Sequence, residues 1–103
     1  MYRAILVTAA NKKEARRIAK ELVNNKLAAC VNIIGEVESL FWWRGKIDSA
    51  KEVLLIIKSR KDKVPKIIRL VKSIHSYEIP EIISLPITTG FEPYLRWIDE
   101  SLR

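Results

Sequence analysis

The decapeptide SIHSYEIPEI holds most of the side chains in this sequence that could perform site chemistry. It contains the only histidine, His75, followed by Tyr77, Glu78 and Glu81. An imidazole nitrogen suits borderline metals such as copper, and a thiolate or a carboxylate can complete the ligand set. We therefore interpret His75, Cys30 and Glu78 as candidate ligands of a divalent metal ion, copper foremost.

A structural interpretation of the same residues is equally direct. A histidine at the end of a helix complements the negative end of the helix dipole, and Pro80 then shapes the entry into the next strand. Cys30 lies in an apolar strand pattern, where a free cysteine is commonly a small buried hydrophobe. With one cysteine, a chain cannot build a closed Cys₄ or Cys₂His₂ zinc site. Metal chemistry would need weaker ligands or several subunits.

The same loop also predicts a cleft for a small ligand. A loop with a histidine, a tyrosine and two glutamates at the mouth of a strand offers convergent polar groups. The predicted lining is Lys58, Tyr77, Glu78, Glu81 and Trp43. Glu52 would share one strand face with Lys58, as a buried pair, a rim ion pair or a clamp for an anionic substrate.

Hydrophobic periodicity predicts the elements that position these residues. The predicted order is a strand over 2–9, a helix capped by Asn11 with Glu14, an extended stretch over 27–43 with a bend at Gly35, a polar turn over 44–49, a strand over 51–59, a helix from Asp62, a strand over 81–87, and a last helix capped by Thr89 with Glu92. This order, β-α-β-β-α-β-α, is typical of an α+β ferredoxin-like sandwich, here with an extra C-terminal helix.

Two segments predict contact with other subunits. In KEVLLIIKS both alternating sets are apolar, so Leu54 and Ile56 would face away from the two helices. The adjacent aromatic residues Phe41, Trp42 and Trp43 place bulk on both faces of one extended segment. We expect these five residues to form an oligomer interface.

Composition limits the remaining possibilities. The 103 residues predict one domain, 1–103, and no apolar run reaches the roughly 20 residues of a membrane span, so we expect a cytoplasmic protein. The sequence has no glutamine and many Lys, Arg and Glu residues, a bias seen in heat-adapted proteins. Without a phosphate loop or a nucleophile elbow, no enzyme is predicted. The net charge of +7 suggests polyanion binding, but the central strands carry no base-reading aromatics, so no specific nucleic-acid recognition is expected.

Five ordered motifs resemble the CutA family of divalent-cation tolerance proteins. They are AACVNI, FWWRGKI, KEVLLIIKS, HSYEIPEI and YLRWI, and they cover nearly the whole chain. The resemblance implies a ferredoxin-like subunit in a tight homotrimer, a cytoplasmic setting, and a connection to copper and other divalent metals. The trimer of this family also resembles the PII signalling proteins, so a small-molecule sensor is the alternative. This chain has His75-Ser76-Tyr77 where the family usually has His-Pro-Tyr.

Overall fold

The computed structural model describes residues 1–103 and confirms the predicted α+β ferredoxin-like order. The elements are β1 (Tyr2–Ala9), α1 (Lys12–Asn24), β2 (Cys30–Trp43), β3 (Lys46–Arg60), α2 (Val64–Ile74), β4 (Ile82–Pro86) and α3 (Glu92–Ser101), with a 3₁₀ turn over Lys61–Lys63 before α2. No helix is both long enough and apolar enough to cross a bilayer.

The four strands form one antiparallel sheet in the order β2-β3-β1-β4. Alternate residues of each strand point to opposite faces, and one face carries the helices α1 and α2. The main core lies between these layers and consists of 14 buried residues, among them Ile5, Leu55 and Ile57 of the sheet and Ile18 and Ile67 of the helices. The apolar residues that recur along the two helices with a 3.6-residue period therefore face this core, as that period indicates.

The opposite face of the sheet, which we call the open face, is only partly covered. The register places Leu6, Leu54, Ile56, Ile83 and Leu85 on it. Helix α3 covers one end, where its Ile98 and Leu102 are buried and Asp99 accepts hydrogen bonds from Tyr2 and Arg60. Towards the β4 edge, Ile83 and Leu85 keep 49% and 46% of their surface exposed. The prediction that β3 is apolar on both sides is confirmed, because Leu54 and Ile56 point to the open face while Leu55 and Ile57 are buried on the face that carries the helices.

Strands β2 and β3 form a long hairpin that projects beyond the body of the protein. The longest dimension of the whole chain is 44 Å. The predicted irregularity at Gly35 is confirmed by a register shift between Gly35 and Val37. The predicted polar turn over 44–49 is wrong, since the turn is only Arg44-Gly45 and β3 already starts at Lys46. Both turn residues have positive φ, the left-handed conformation that a two-residue hairpin turn requires.

The helix starts confirm one capping prediction and overturn another. The Asn11 side chain accepts a hydrogen bond from the Glu14 amide at 2.8 Å, as a cap of α1 should. At α3 the cap is Phe91, which makes no side-chain hydrogen bond, so the prediction of Thr89 as the cap is wrong. Pro93 in the first turn instead fixes the backbone for this helix.

Candidate functional site

His75 lies at the C-terminal end of α2, and its side chain is fully buried. Its Nε2 is 2.8 Å from the Thr8 carbonyl oxygen, and its Nδ1 accepts a hydrogen bond from the Tyr77 amide at 3.0 Å. A carbonyl can only accept and an amide N–H can only donate, so these partners assign a neutral ring with its proton on Nε2. Thr8 lies one residue beyond the part of β1 that pairs with β4, so the ring ties the end of β1 to the loop after α2.

Glu14 of α1 joins the same loop from the other side. Its carboxylate accepts hydrogen bonds from the amides of Ala10, at 2.9 Å, and Ser76, at 2.8 Å. Burial raises the pKa of the Glu14 carboxyl, but these hydrogen bonds outweigh burial, and the pKa lies below its usual value. One oxygen is 3.9 Å from His75 Nδ1. Glu14 therefore connects the end of β1, the start of α1 and the site loop.

Tyr77 and Glu52 form the polar contact at the mouth of the site. The Tyr77 hydroxyl donates to Glu52 Oε2 at 2.8 Å, and Glu52 is buried with 8% of its surface exposed. Burial, followed by the hydrogen bond to Glu52, raises the pKa of Tyr77 to about 12, so this hydroxyl keeps its proton at neutral pH. Partial burial and the negative charge of Glu52 also raise the pKa of Glu81. We call Glu52, Tyr77 and Glu81 the carboxylate mouth.

The other residues of the predicted cleft lie elsewhere in the same chain. Lys58 is six positions from Glu52 along β3, about 20 Å at the usual strand rise. Trp43 stands opposite Lys46 at the far end of the hairpin, a similar distance in the other direction. The structure thus brings together Tyr77 and Glu81 but places neither Lys58 nor Trp43 beside them within one chain. Glu52 and Lys58 form no ion pair.

Cys30 begins β2 opposite Lys58, and it shares the open face with Asn32, as the two-residue alternation of a strand requires. It is half-buried and free, and it lies beside Tyr94 of α3, where burial and then the thiol raise the pKa of the tyrosine hydroxyl. Cys30 and Thr8, the partner of His75, pair with β3 from opposite sides. The two positions on β3 with which they pair are four residues apart, about 13 Å along the strand.

The predicted metal set therefore does not assemble within one chain. Both nitrogens of His75 are engaged in internal hydrogen bonds, Cys30 lies at another part of the sheet, and Glu78 is exposed and uses its backbone carbonyl to accept from Lys72 Nζ. No three histidine, cysteine or acidic side chains lie close enough together to hold a metal ion. A copper site made by His75, Cys30 and Glu78 of a single subunit does not fit this structure.

Sequence reasoning underestimates two residues of the site. It assigns Glu14 only to a helix cap, and Glu52 only to a pair or an anion clamp with Lys58, yet both meet the loop that contains His75 and Tyr77. A glutamate three residues after a capping Asn signals a local bond, and nothing in the pattern predicts its contact with Ser76 across 62 positions. The available sequence signal for Glu52 is an acid directly beside the apolar run of β3.

Comparisons with known proteins agree with the fold and the motifs. The family model for CutA1 divalent ion tolerance protein matches residues 3–101. A protein CutA homolog of Xenopus laevis is 47% identical over 97 residues, which are 94% of this chain and 64% of that protein, so the chain spans just under two thirds of this relative's length.

Two solved structures are similar along the whole chain. The periplasmic divalent cation tolerance protein CutA of Archaeoglobus fulgidus is 46% identical, with a TM-score of 0.97 and 100% of each chain covered. The divalent cation tolerance protein of Thermus thermophilus is 40% identical, with a TM-score of 0.96 and 98% of each chain covered. The family model, the five motifs and this structural agreement together show that the chain belongs to the CutA1 divalent ion tolerance protein family.

Proposed function

We propose that this protein acts in divalent-cation tolerance as a homotrimer that binds divalent cations, copper foremost, at sites to which more than one subunit contributes. The observation that carries the proposal is the position of the carboxylate mouth. Glu52 lies on the open face, two positions from Leu54 and four from Ile56, the residues that we expect to meet a second copy. A copy that covers this apolar face would also approach the mouth and supply further ligands.

The electrostatics of the mouth favour a cation. Desolvation, followed by the negative charge of the buried Glu52, raises the pKa of Glu81, so the ionised Glu81 carboxylate carries unfavourable desolvation and repulsion. A divalent cation would relieve both effects, and carboxylate oxygens are general ligands of such ions. Because the two carboxylates are too few for a complete site, we expect donors from an adjoining subunit, for which Cys30 and Glu78 stay candidates. His75 could contribute only by giving up one of its two internal hydrogen bonds.

The test is calorimetric titration of Cu²⁺ into the metal-free protein, together with Glu52→Gln, Glu81→Gln, His75→Ala and Cys30→Ser variants. Glu100→Gln, an exposed acid on α3, is the matched control. We expect the first two variants to weaken binding at least tenfold and the control to leave it unchanged. Wild-type affinity in both Glu52→Gln and Glu81→Gln would contradict the assignment of the mouth, whereas a loss confined to the His75 and Cys30 variants would assign binding to those residues.

A small-molecule sensor that resembles the PII trimers is the second candidate. The engaged nitrogens of His75 and the high pKa of Tyr77 favour it, because a polar mouth with fixed hydrogen-bond groups can orient a small ligand without a metal. In this case Lys58 and Trp43 would complete the cleft from neighbouring subunits. Native mass spectrometry of protein purified from its own source distinguishes the two functions, because a retained metal and a retained metabolite add different masses.

We further propose the cytoplasm as the compartment. The free, half-buried thiol of Cys30 suits a reducing environment. Because the Archaeoglobus relative is described as periplasmic, the test is fractionation of source cells against cytoplasmic and periplasmic markers, and recovery with the periplasmic marker would refute the proposal.

A further inference from the structure

The positive charge of this protein is concentrated on the helix layer. Helices α1 and α2, with the 3₁₀ turn before α2, contain ten of the 19 Lys and Arg residues but only three of the 12 Asp and Glu residues. These 27 residues therefore carry a net charge of +7, and the other 76 residues, with nine of each sign, are neutral overall. We call the ten cations the basic helix face: Lys12, Lys13, Arg16, Arg17, Lys20, Lys61, Lys63, Lys66, Arg69 and Lys72.

These cations have no acidic partners in the fold. The ion pairs of the protein involve Arg60 and Arg96, and none includes a member of the basic helix face. Of the three acids among these elements, Glu14 is bonded to backbone amides and Asp62 to Arg60, which leaves only Glu21. Nine of the ten cations are exposed, and Lys63 is half-buried. Their charge therefore faces solvent without compensation, which raises the local concentration of anions.

Two depressions on this surface are lined by members of the basic helix face. One shallow depression beside α1 is lined by four cations, Lys13, Arg16, Arg17 and Lys20, and by two acids, Glu14 and Glu21. A second depression, between the end of α1 and α2, is lined by Lys66 and Arg69. Helix α1 is 13 residues long, about 20 Å, so the cations form an elongated strip rather than a single point.

The chemistry of the strip decides which polyanion fits. Neither α1 nor α2 contains an aromatic residue, so bases of a single strand have nothing to stack on. Its exposed large apolar residues are Val23 and Ile68, too few to insert into a lipid surface. Duplex RNA is recognised largely through its 2′-hydroxyls as well as its phosphates, whereas the ten charged groups of this face can pair with phosphates alone. What remains is a regular double row of phosphates, one charge per about 1.7 Å of duplex axis.

We propose that the basic helix face is a sequence-independent docking surface for the phosphate backbone of double-stranded DNA. This surface is opposite the open face, so a copy that covers the open face leaves it accessible, and the proposal does not depend on the cation function. If about four cations contact phosphates at once, a plot of the logarithm of the DNA association constant against the logarithm of the salt concentration has a slope of about −3.6. The affinity then falls about a hundredfold between roughly 50 and 200 mM salt.

The experiment is fluorescence anisotropy with a labelled DNA of mixed sequence, about 20 base pairs long, at about 50 mM salt. The variant Arg16→Gln/Arg17→Gln/Lys20→Gln removes three charges from the strip. The control Arg44→Gln/Arg96→Gln/Arg103→Gln removes three exposed charges elsewhere, and light scattering checks that both variants keep the wild-type mass. We expect the strip variant to bind at least about tenfold more weakly, with the slope reduced by about 2 to 3, and the control to change affinity less than about threefold.

Four outcomes would overturn the proposal. Equal weakening in both triple variants would show that only net charge matters. Tighter binding of a single strand, of a duplex RNA or of vesicles with anionic lipid would assign the strip to another partner. Binding that depends on sequence or persists at about 500 mM salt would show base recognition. No anisotropy change at low salt would reject the docking surface itself.

Discussion

At the residue scale, the contacts of His75 and Glu14 make the loop after α2 part of the folded framework. The buried imidazole links Thr8 to Tyr77, and the carboxylate of Glu14 links Ala10 to Ser76. Each contact satisfies backbone groups that would otherwise lose their partners at the end of β1. The loop that carries Tyr77 and Glu81 is therefore held in place before any ligand arrives.

The first prediction concerns the structural role of His75. Replacing it with Ala leaves the Thr8 carbonyl and the Tyr77 amide without partners and opens a cavity, so we expect a loss of about 2 to 4 kcal/mol in unfolding free energy. Urea denaturation at one fixed subunit concentration measures it. The nearby Glu78→Ala variant, which removes an exposed side chain but keeps the backbone carbonyl that accepts from Lys72, should change stability by less than about 0.5 kcal/mol. Undiminished stability in His75→Ala would contradict the framework role.

The second prediction is a pH dependence at Glu14. Because its folded-state pKa is lowered, its carboxylate contributes stability that is fully present above the ordinary pKa of about 4.3 and is lost as pH falls through the lower folded value. The Glu14→Gln variant should therefore be less stable than wild type by about 1 to 2 kcal/mol at neutral pH, with the difference shrinking in acid. Thermal unfolding from about pH 7 down to about pH 2.5 measures this difference, and a gap that is constant with pH would contradict the assignment.

Much of this residue-scale picture could not be predicted from the sequence. Alternation correctly places Cys30 with Asn32 on one strand face, because register fixes the direction of every second side chain. By contrast, the separation of Lys58 from Tyr77 depends on which end of β3 the loop after α2 contacts, and the partners of Glu14 depend on a contact between distant segments. Such three-dimensional proximity has no periodic signature in one sequence.

At the element scale, α3 is held by few contacts. Ile98 and Leu102 are the buried residues at this helix and its end, and Asp99 joins it to the sheet through Tyr2 at 2.7 Å and Arg60 at 3.2 Å. These hydrogen bonds lower the pKa of the Asp99 carboxyl, first through Tyr2. A helix with so small an anchor should open more readily than α1, whose stripe is in the main core.

The third prediction tests this anchor. In Asp99→Ala we expect faster amide hydrogen exchange along α3, because Tyr2 and Arg60 lose their shared partner, while exchange in α1 stays as in wild type. Mass spectrometry of exchanged peptides measures both elements in one experiment. The adjacent variant Glu100→Ala, an exposed acid on the same helix, should leave α3 unchanged. Equal protection of α3 in Asp99→Ala and wild type would assign its docking to Ile98 and Leu102 alone.

At the scale of the whole molecule, the dominant feature is the apolar surface that one chain leaves uncovered. It comprises the β4 edge of the open face and the outer half of the hairpin, where Leu40, Trp42 and Ile47 are 69%, 73% and 66% exposed. Soluble monomers rarely leave large apolar patches in water. The prediction of an interface through Leu54, Ile56 and the aromatic run Phe41-Trp42-Trp43 stays a prediction. The exposure of the aromatic run supports it, whereas Leu54 and Ile56 are half-buried within one chain.

The fourth prediction tests the assembly. Ile56→Asp introduces a charge on the open face, and we expect it to convert a trimer into monomers that keep their helical circular dichroism at room temperature. Ile68→Asp introduces the same charge at an exposed apolar position of α2 and should leave the trimer intact. Light scattering after size-exclusion chromatography measures the mass of each. A wild-type mass of one subunit, or a trimeric Ile56→Asp, would refute the proposed interface.

The fold could be predicted from the sequence at this scale because several independent signals agree. The 3.6-residue stripes of α1 and α2 and the two-residue alternation of the strands specify one sandwich. The predicted turn is too broad because Lys46, Asp48 and Ser49 are polar, and polar residues are read as loop when a hairpin projects into solvent. The failure at Thr89 has a similar cause, since a capping signal is local and Pro93 sets the start of the helix.

The projecting hairpin also has a consequence for how this protein folds. Its outer strands pair with each other, and their large apolar residues are exposed in a single chain. In the proposed trimer, their packing can therefore form only after chains have met. Refolding from urea should therefore show a fast phase that is independent of protein concentration, as each sandwich forms, followed by a slower second-order phase in which tryptophan fluorescence from Trp42 and Trp43 reaches its final value. A tenfold dilution should lengthen the second phase about tenfold and leave the first unchanged.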